Sequence, residues 1–272
     1  MMKRILQATL FIIVSGMNTA FGQEAQDQAL KLLIHPVYTP DVSTAVHKPL
    51  ANYIATKIGR KIELVTPRDF HKYWLDTRAG EYYDLILEDS HIADYRRQAG
   101  THTPLVRAKD DIRYMLLSSD PLVREPAHLI GLRISTLSSP SLGHQMLARW
   151  FSNPMAQPQI LSNSKSWLDS VEAVFATDSD AAVVPSWIGK RYPNLTPVLE
   201  SDPLPGLTLS VGNSVDAELR RKLQSAMTAL DENSEDYDVL NELNVTGFVT
   251  VSPGDYEGLA DLLKSLYSLK TL

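Results

Sequence analysis

The sequence contains no cysteine among its 272 residues. This absence excludes disulfide bonds, thiolate metal ligands, a thiol nucleophile and the cysteine-linked lipid anchor of bacterial lipoproteins. An excess of basic residues is also lacking, because the formal net charge is −6. That balance argues against nucleic acids and anionic membrane surfaces as partners. It leaves room for a small anionic ligand, which is held by local dipoles rather than by net charge.

The sequence also lacks the local signatures of common catalytic sites. It has no G-x-S-x-G, H-E-x-x-H, P-loop or G-x-G-x-x-G segment, so an enzyme is disfavoured and no cofactor is expected. Glu88, Asp89 and His91 stand close together after a predicted strand, but without a helical i, i+4 pair of ligands. The nearest other histidine, His144, falls in a different predicted lobe. A role for His91 as a ring donor or a helix-start residue is therefore favoured over metal binding.

Apolar runs long enough to span a bilayer are absent as well. The N-terminus instead carries the basic residues Lys3 and Arg4, an apolar stretch over 5–17, and small residues at Ala20 and Gly22. This layout predicts a secretory signal peptide over 1–22 that is cleaved near Gly22. A membrane-anchored N-terminus is the alternative, but it would need ~20 apolar residues. We therefore expect an exported, periplasmic protein.

Strand-like and helix-like segments alternate along the rest of the chain. Such alternation predicts an α/β fold in which mostly parallel sheets are covered on both faces by helices. Apolar runs predict strands over 31–37, 61–65, 84–87, 132–136, 158–161, 180–184 and 207–211. Periodic apolar residues and capping residues predict helices over 43–59, 69–79, 91–99, 140–151, 167–176, 219–230 and 255–269.

The length of the chain favours two lobes over a single core. The first predicted lobe comprises 23–112 together with 208–272, and the second comprises 113–207. Two crossing segments, near 112–117 and 207–211, are expected to form the hinge.

A cluster of serines, Ser138, Ser139 and Ser141, lies between a predicted strand and a predicted helix. Ser139 is predicted to be the N-cap, with Pro140 at the first helical position, where its missing N–H costs nothing. The free N–H groups of the first turn, the hydroxyls and the helix dipole would together attract an anion. A helix that is merely capped is the alternative, and the tetrapeptide alone favours it.

The order of these segments resembles the phosphate/phosphite/phosphonate-binding family of periplasmic solute receptors, which has the type II periplasmic binding fold. The resemblance extends over nearly the whole exported chain. It is carried by 49–53 (PLANY), Gly59, 62–64 (IEL), 79–80 (AG), 83–85 (YDL), 104–106 (PLV), 129–134 (LIGLRI), the serine cluster, 180–184 (DAAVV), 219–230, 247–249 (GFV) and 255–256 (DY).

The resemblance implies a receptor that captures a small, anionic ligand between two lobes, which then close. In that family a turn rich in hydroxyls binds the oxyanion, and this turn maps onto Ser138, Ser139 and Ser141. Two aromatic positions map onto Tyr38 and Tyr95. Residues at other predicted loop or helix starts complete the expected ligand-binding set: Ser90, His91 and Trp187.

The implied partner is the membrane permease of an ABC importer. The periplasmic domain of a sensor kinase is the alternative, and an enzyme on the same fold is disfavoured. We expect the receptor to be a monomer.

Two departures from the family pattern bear on the ligand. Pro140 stands where the family turn has a hydroxyl residue, and Glu88 and Asp89 occupy a loop that in the family is usually apolar and contains glycine. Like charges ~4–6 Å apart in a partly desolvated cleft repel strongly. The sequence therefore predicts that phosphate and simple alkylphosphonates do not bind tightly. A monoanion, a zwitterion or a larger ligand whose cationic or donor groups meet the acids is expected instead.

Overall fold

The computed structural model describes residues 28–231, 234, 236–252 and 254–264. The predicted signal peptide, its cleavage site and the last part of the predicted C-terminal helix lie outside these residues. Within them the chain forms two β-sheets flanked by helices, which confirms the α/β class. No helix in the described ranges is both long enough and apolar enough to cross a membrane.

Strands and helices alternate along most of the chain. The strands are β1 (Leu30–Ile34), β2 (Ile62–Val65), β3 (Leu85–Glu88), β4 (His102–Ala108), β5 (Tyr114–Ser118), β6 (Arg133–Leu137), β7 (Gln159–Ser164), β8 (Ala181–Pro185), β9 (Thr196–Glu200), β10 (Thr208–Gly212) and β11 (Phe248–Thr250). The helices are α1 (Pro40–Ile58), α2 (Phe70–Ala79), α3 (Ser90–Gln98), α4 (Leu142–Trp150), α5 (Trp167–Phe175), α6 (Ser186–Gly189), α7 (Ala217–Ala229) and α8 (Asp238–Leu243). Two 3-10 helices span Pro126–Leu129 and Leu259–Leu263.

The strands divide between the two sheets according to their place in the chain. The first sheet has the order β11-β4-β10-β3-β1-β2, and the second has the order β7-β6-β8-β5-β9. β1 runs parallel to β2 and β3, and β6 runs parallel to β7 and β8. β10 runs antiparallel to both of its neighbours, and so does β5. Because β1 is parallel to β3, the carboxyl ends of these two strands lie at the same edge of the first sheet. The carboxyl ends of β6 and β8 lie together in the second sheet for the same reason.

Local signals in the sequence set most helix ends. α1 and α2 end at Gly59 and Gly80, whose φ angles of 71° and 78° are left-handed and suit glycine. Asp69 and Ser166 cap α2 and α5, since their side chains accept from the N–H groups of Lys72 and Asp169.

Three predicted helix boundaries are wrong. α1 begins at Pro40 instead of residue 43, because proline suits the first helical position and extends the helix toward the preceding strand. α4 begins at Leu142, two residues later than predicted. In the described part of the predicted helix 255–269, only Leu259–Leu263 is helical, and it is a 3-10 helix that follows turns.

The two units pack against each other through one continuous apolar cluster. Leu33, Phe70 and Ile92 from the first unit belong to the same buried cluster as Tyr114 and Trp167 from the second. Two segments, 109–113 and 201–207, connect the sheets, so the crossings precede the predicted positions near 112–117 and 207–211, most of which lie in β5 and β10. They pair with each other, because the N–H of Ile112 donates to the carbonyl of Leu204 at 2.8 Å and the reverse bond measures 2.9 Å.

Candidate functional site

A cavity of about 480 Å³ lies between the two units, beside the connecting segments. The first unit contributes His35, Tyr38, His47 and Asp89 to its wall. Trp167, Ser186, Trp187 and Lys190 come from the second unit, and the connections contribute 110–113 and 206–207. α8 and the segment after it close one side. A space walled by both units and their connections changes shape whenever the units move relative to each other.

The two polar residues at the first unit's edge come from neighbouring strands. His35 follows β1 and Asp89 follows β3, so the parallel pairing of these strands brings both to the carboxyl edge of the sheet, where ligand crevices form in α/β folds. The Nδ1 atom of His35 lies 3.6 Å from an oxygen of Asp89, and both residues are buried. Burial raises the pKa of the Asp89 carboxyl, but the adjacent His35 ring outweighs that effect and leaves the pKa below its ordinary value. Asp89 is therefore ionised at neutral pH.

Glu88, the other acid of this loop, does not line the cavity. Its side chain is fully buried, accepts a hydrogen bond from the hydroxyl of Tyr73 and accepts another from Nε of Arg96 at 3.1 Å. The same guanidinium donates to Thr77 at 2.7 Å. Burial raises the pKa of Glu88, opposed by Arg96. The expectation that both acids repel a ligand thus reduces to Asp89 alone.

Two of the aromatic residues expected in the site line the cavity. Tyr38 packs against His47 with ring centroids 6.3 Å apart, and Trp187 follows β8 on the opposite wall. Burial lowers the pKa of His47 to about 4, so this ring is neutral in the working range of pH. Tyr95 is placed elsewhere: it packs against Trp74, with ring centroids 5.1 Å apart, and does not line the cavity.

A second group of expected site residues lies at a seam between the units, outside the cavity wall. The Nε2–H of His91, at the start of α3, donates to the carbonyl of Pro140 at 2.8 Å. Burial lowers the pKa of His91, so the ring is neutral and its Nδ1 is an acceptor without a hydrogen-bond partner. The adjacent hydroxyls of Ser90 and Ser139 are likewise buried and unpartnered. The hydrogen bond brings His91 and Pro140 together, and their chain neighbours Ser90 and Ser139 carry the two unpartnered hydroxyls.

The serine cluster caps α4 in a different register from the predicted one. Ser141, not Ser139, is the N-cap, and its hydroxyl accepts from the N–H of His144 at 3.3 Å while donating to the carbonyl of Leu137 at 3.1 Å. The N–H of Ser141 donates to the carbonyl of Ser138. The polar groups of Ser141 are therefore occupied within the turn, and none of the three serines lines the cavity.

Sequence reasoning missed several residues of the cavity wall, among them His35, His47, Arg113, Trp167 and Lys190. His35 carried a usable signal, because it directly follows an apolar strand. His47 lies on α1 of the first unit, where its position gave no signal of a site. Arg113, Trp167 and Lys190 depend on how the second unit and the connections face the first, which no local pattern encodes. The described residues contain no group of three or more His, Cys, Asp or Glu side chains that is placed to hold a metal ion.

Comparison with known proteins places this architecture in a family. A family model described as the periplasmic substrate-binding protein of an ABC phosphonate transporter matches residues 32–256. No match was found among curated proteins.

Solved structures agree in fold at low identity. The binding-protein component of an ABC phosphonate transporter from Pseudomonas aeruginosa has a TM-score of 0.73 at 14% identity, over 87% of this chain and 85% of that one. PhnD1 from Prochlorococcus marinus, solved with methylphosphonate, has a TM-score of 0.73 at 14% identity, over 88% and 98%. A protein from Xanthomonas citri solved with ATP has a TM-score of 0.69 at 16% identity, over 88% and 98%.

These likenesses confirm the two-lobed type II periplasmic binding fold, and the family is one of transport receptors rather than a class of enzymes. The chain belongs to the family of periplasmic substrate-binding proteins of ABC phosphonate transporters.

Proposed function

We propose that the chain captures a small solute in the cavity between its two lobes and delivers it to the permease of an ABC importer. The observation that carries this proposal is the position of the cavity, which has walls from both units and from both connecting segments. A ligand in such a space contacts both lobes only when they are closed. It therefore stabilises the closed form by its differential affinity for that form.

The seam supports this mechanism. The His91–Pro140 hydrogen bond joins the two units, and its two residues are 49 positions apart in the sequence. The shared apolar cluster buries further surface between them. Opening would expose both, and closing restores them, so the ligand and the seam act in the same direction on the equilibrium.

Export and lobe boundaries belong to the same proposal. The signal peptide over 1–22 would direct the chain to the periplasm. There the receptor, as a monomer, would meet the permease. The lobes would comprise 23–112 with 208–272, and 113–207, with the connecting segments acting as the hinge. Closure presents a joint surface of both lobes to the permease.

The ligand is proposed to differ from simple phosphonates. Asp89 is an ionised carboxylate in the cavity wall, and it would repel a dianion held nearby. The hydroxyl and N–H of Ser141 are used within the turn. We therefore expect phosphate and methylphosphonate to bind no more tightly than micromolar in calorimetric titrations at neutral pH. Submicromolar binding of either would contradict this selectivity.

The test of capture begins with the solute that the protein retains through purification from a periplasmic extract, identified by mass spectrometry after denaturation. Titration of that solute into the stripped protein gives its affinity. Trp187→Ala should weaken binding by about 30-fold, since truncating a buried aromatic anchor costs about 2 kcal/mol. Phe175→Ala is the matched control, because this aromatic is 47% exposed and outside the cavity wall. Equal affinities in wild type and Trp187→Ala would place the site elsewhere.

A further inference from the structure

We infer that Gly143 is a positioning residue of the cavity, because its missing side chain gives the indole of Trp167 its place in the cavity wall. Trp167 lines the cavity, whereas Gly143 lies outside the wall, in the first turn of α4. This role rests on the proposed function, since the cavity is where the solute would be captured.

The backbone of α4 does not require glycine at this position. Gly143 is the second residue of the helix, and its φ angle lies outside the left-handed region that favours glycine. Glycine in a helix is less favourable than alanine, because it loses more conformational freedom on folding. A glycine that weakens the helix without a backbone reason is explained by the space around it.

The space beside Gly143 is occupied by the indole of Trp167. A Cβ atom at position 143 would lie 2.8 Å from Cζ3 and 2.9 Å from Cη2 of that ring, and 2.9 Å from Oγ1 of Thr136. Carbon atoms in contact are ordinarily ~3.5–4.0 Å apart, so the ring would have to retreat by more than about half an ångström. Even alanine therefore does not fit while the indole keeps its position.

The indole has little freedom to yield. Trp167 is only 4% exposed, and it is the first residue of α5, where the side chain of Ser166 accepts from the N–H of Asp169 and fixes the start of the helix. Close-packed interiors transmit a displacement to their neighbours instead of absorbing it.

The neighbour that would be disturbed belongs to the cavity wall as well. Trp167 packs edge to face against Tyr114, with ring centroids 5.4 Å apart and an angle of 67° between the planes. Both rings line the cavity. A side chain at position 143 would press Trp167 away from α4 and so change the wall that the two rings form. Gly143 thus determines the shape of the cavity from outside its wall.

Urea unfolding and acrylamide quenching of tryptophan fluorescence, both in the ligand-free protein, test this role. Gly143→Ala should lower the urea midpoint by about 0.5–1 M through overpacking, although alanine is the better helix former. It should also raise the quenching constant, because the displaced indole of Trp167 becomes more accessible. The ring of phenylalanine lacks the two atoms that approach position 143. In a Trp167→Phe background, Gly143→Ala should therefore leave the quenching constant unchanged and should not lower the midpoint.

Two control variants separate the indole from other causes. Thr136→Ala removes the hydroxyl that approaches position 143 and keeps the indole, so Gly143→Ala should still lower the midpoint in that background. Ala148→Gly, at an exposed position of the same helix, measures what glycine costs in α4 itself.

Several results would overturn the inference. They are a Gly143→Ala variant with a raised midpoint, an equal loss in the Trp167→Phe background, and relief by Thr136→Ala instead. A lowered midpoint with unchanged quenching would show a packing role alone and would also overturn it. If Gly143→Ala fails to fold, folding of its double variant with Trp167→Phe supports the inference, and failure of that double variant refutes it.

None of these measurements uses a ligand, so a negative result would leave the capture of a solute intact. Failure of capture is instead detected by the titrations of wild type and Trp187→Ala.

Discussion

Acidification from pH 7 to pH 5 should destabilise the fold through two buried histidines, His47 and His102. Each is 2% exposed. Burial lowers the pKa of both rings to about 4, and this effect outweighs hydrogen bonds to the carbonyls of Ser43 and Tyr83, which act in the opposite direction. In the unfolded chain the same rings titrate near their ordinary pKa of 6.5.

The sign of the effect follows from proton binding. Between pH 6.5 and pH 4 the unfolded chain binds more protons at these rings than the folded chain does, so the free energy of unfolding falls as the pH falls. The contribution of these neutral rings to the free energy of unfolding is fully present above the ordinary pKa. It is lost progressively as the pH falls from that value to the folded-state pKa. At pH 5 the loss relative to pH 7 is about 2 kcal/mol for each ring, because each tenfold rise in proton concentration below pH 6.5 costs about 1.4 kcal/mol.

Urea unfolding followed by tryptophan fluorescence at pH 7 and pH 5 measures this loss. The variants His47→Gln and His102→Gln should each lose about 2 kcal/mol less than wild type between the two pH values. Contributions from other groups cancel in that difference. His71→Gln is the control, since this residue is exposed and should leave the pH dependence of wild type unchanged. A His47→Gln variant with the wild-type pH dependence would refute the burial of a neutral ring.

Three further predictions concern the turn, the buried ion pair and the seam. Ser141→Ala should lower the free energy of unfolding by about 1 kcal/mol through loss of the α4 cap, whereas Ser139→Ala should change it by much less. Equal effects of the two variants in urea unfolding would contradict the assignment of Ser141 as the N-cap residue. Arg96→Met should cost about 3–5 kcal/mol, because it strands the buried Glu88 carboxylate, and a loss below about 1 kcal/mol would show that the acid is solvated. His91→Ala should favour the open form by about 1 kcal/mol. X-ray scattering of the ligand-free protein should then show a larger radius of gyration. An unchanged radius would contradict the claim that the His91–Pro140 hydrogen bond stabilises the closed form.

Local chemistry made much of the fold predictable from the sequence. The helix ends at Gly59 and Gly80 and the cap at Asp69 follow from residues that have one strongly preferred backbone role. The cap of α4 was less determined. Ser139 and Ser141 both satisfy the preference for a hydroxyl at the N-cap, and only the path of the chain into α4 chooses between them.

The candidate site depended on pairings that are distant in the sequence. His35 and Asp89 meet because β1 and β3 are neighbours in the sheet, and that order is not written in either strand. The two acids of one loop, Glu88 and Asp89, point in different directions because Tyr73 and Arg96 hold the first of them. Successive residues of an extended segment face opposite sides, so the sequence restricted the alternatives without deciding which acid meets the cavity.

The most direct test of the central claim is a crystal structure of the protein with the solute that it retains through purification. The account predicts density for that solute in the cavity between the lobes, in contact with Tyr38 and Trp187 and beside Asp89. Density confined to the open groove between α1 and α7, bounded by Tyr53 and Arg221, with the interlobe cavity filled only by water, would contradict it.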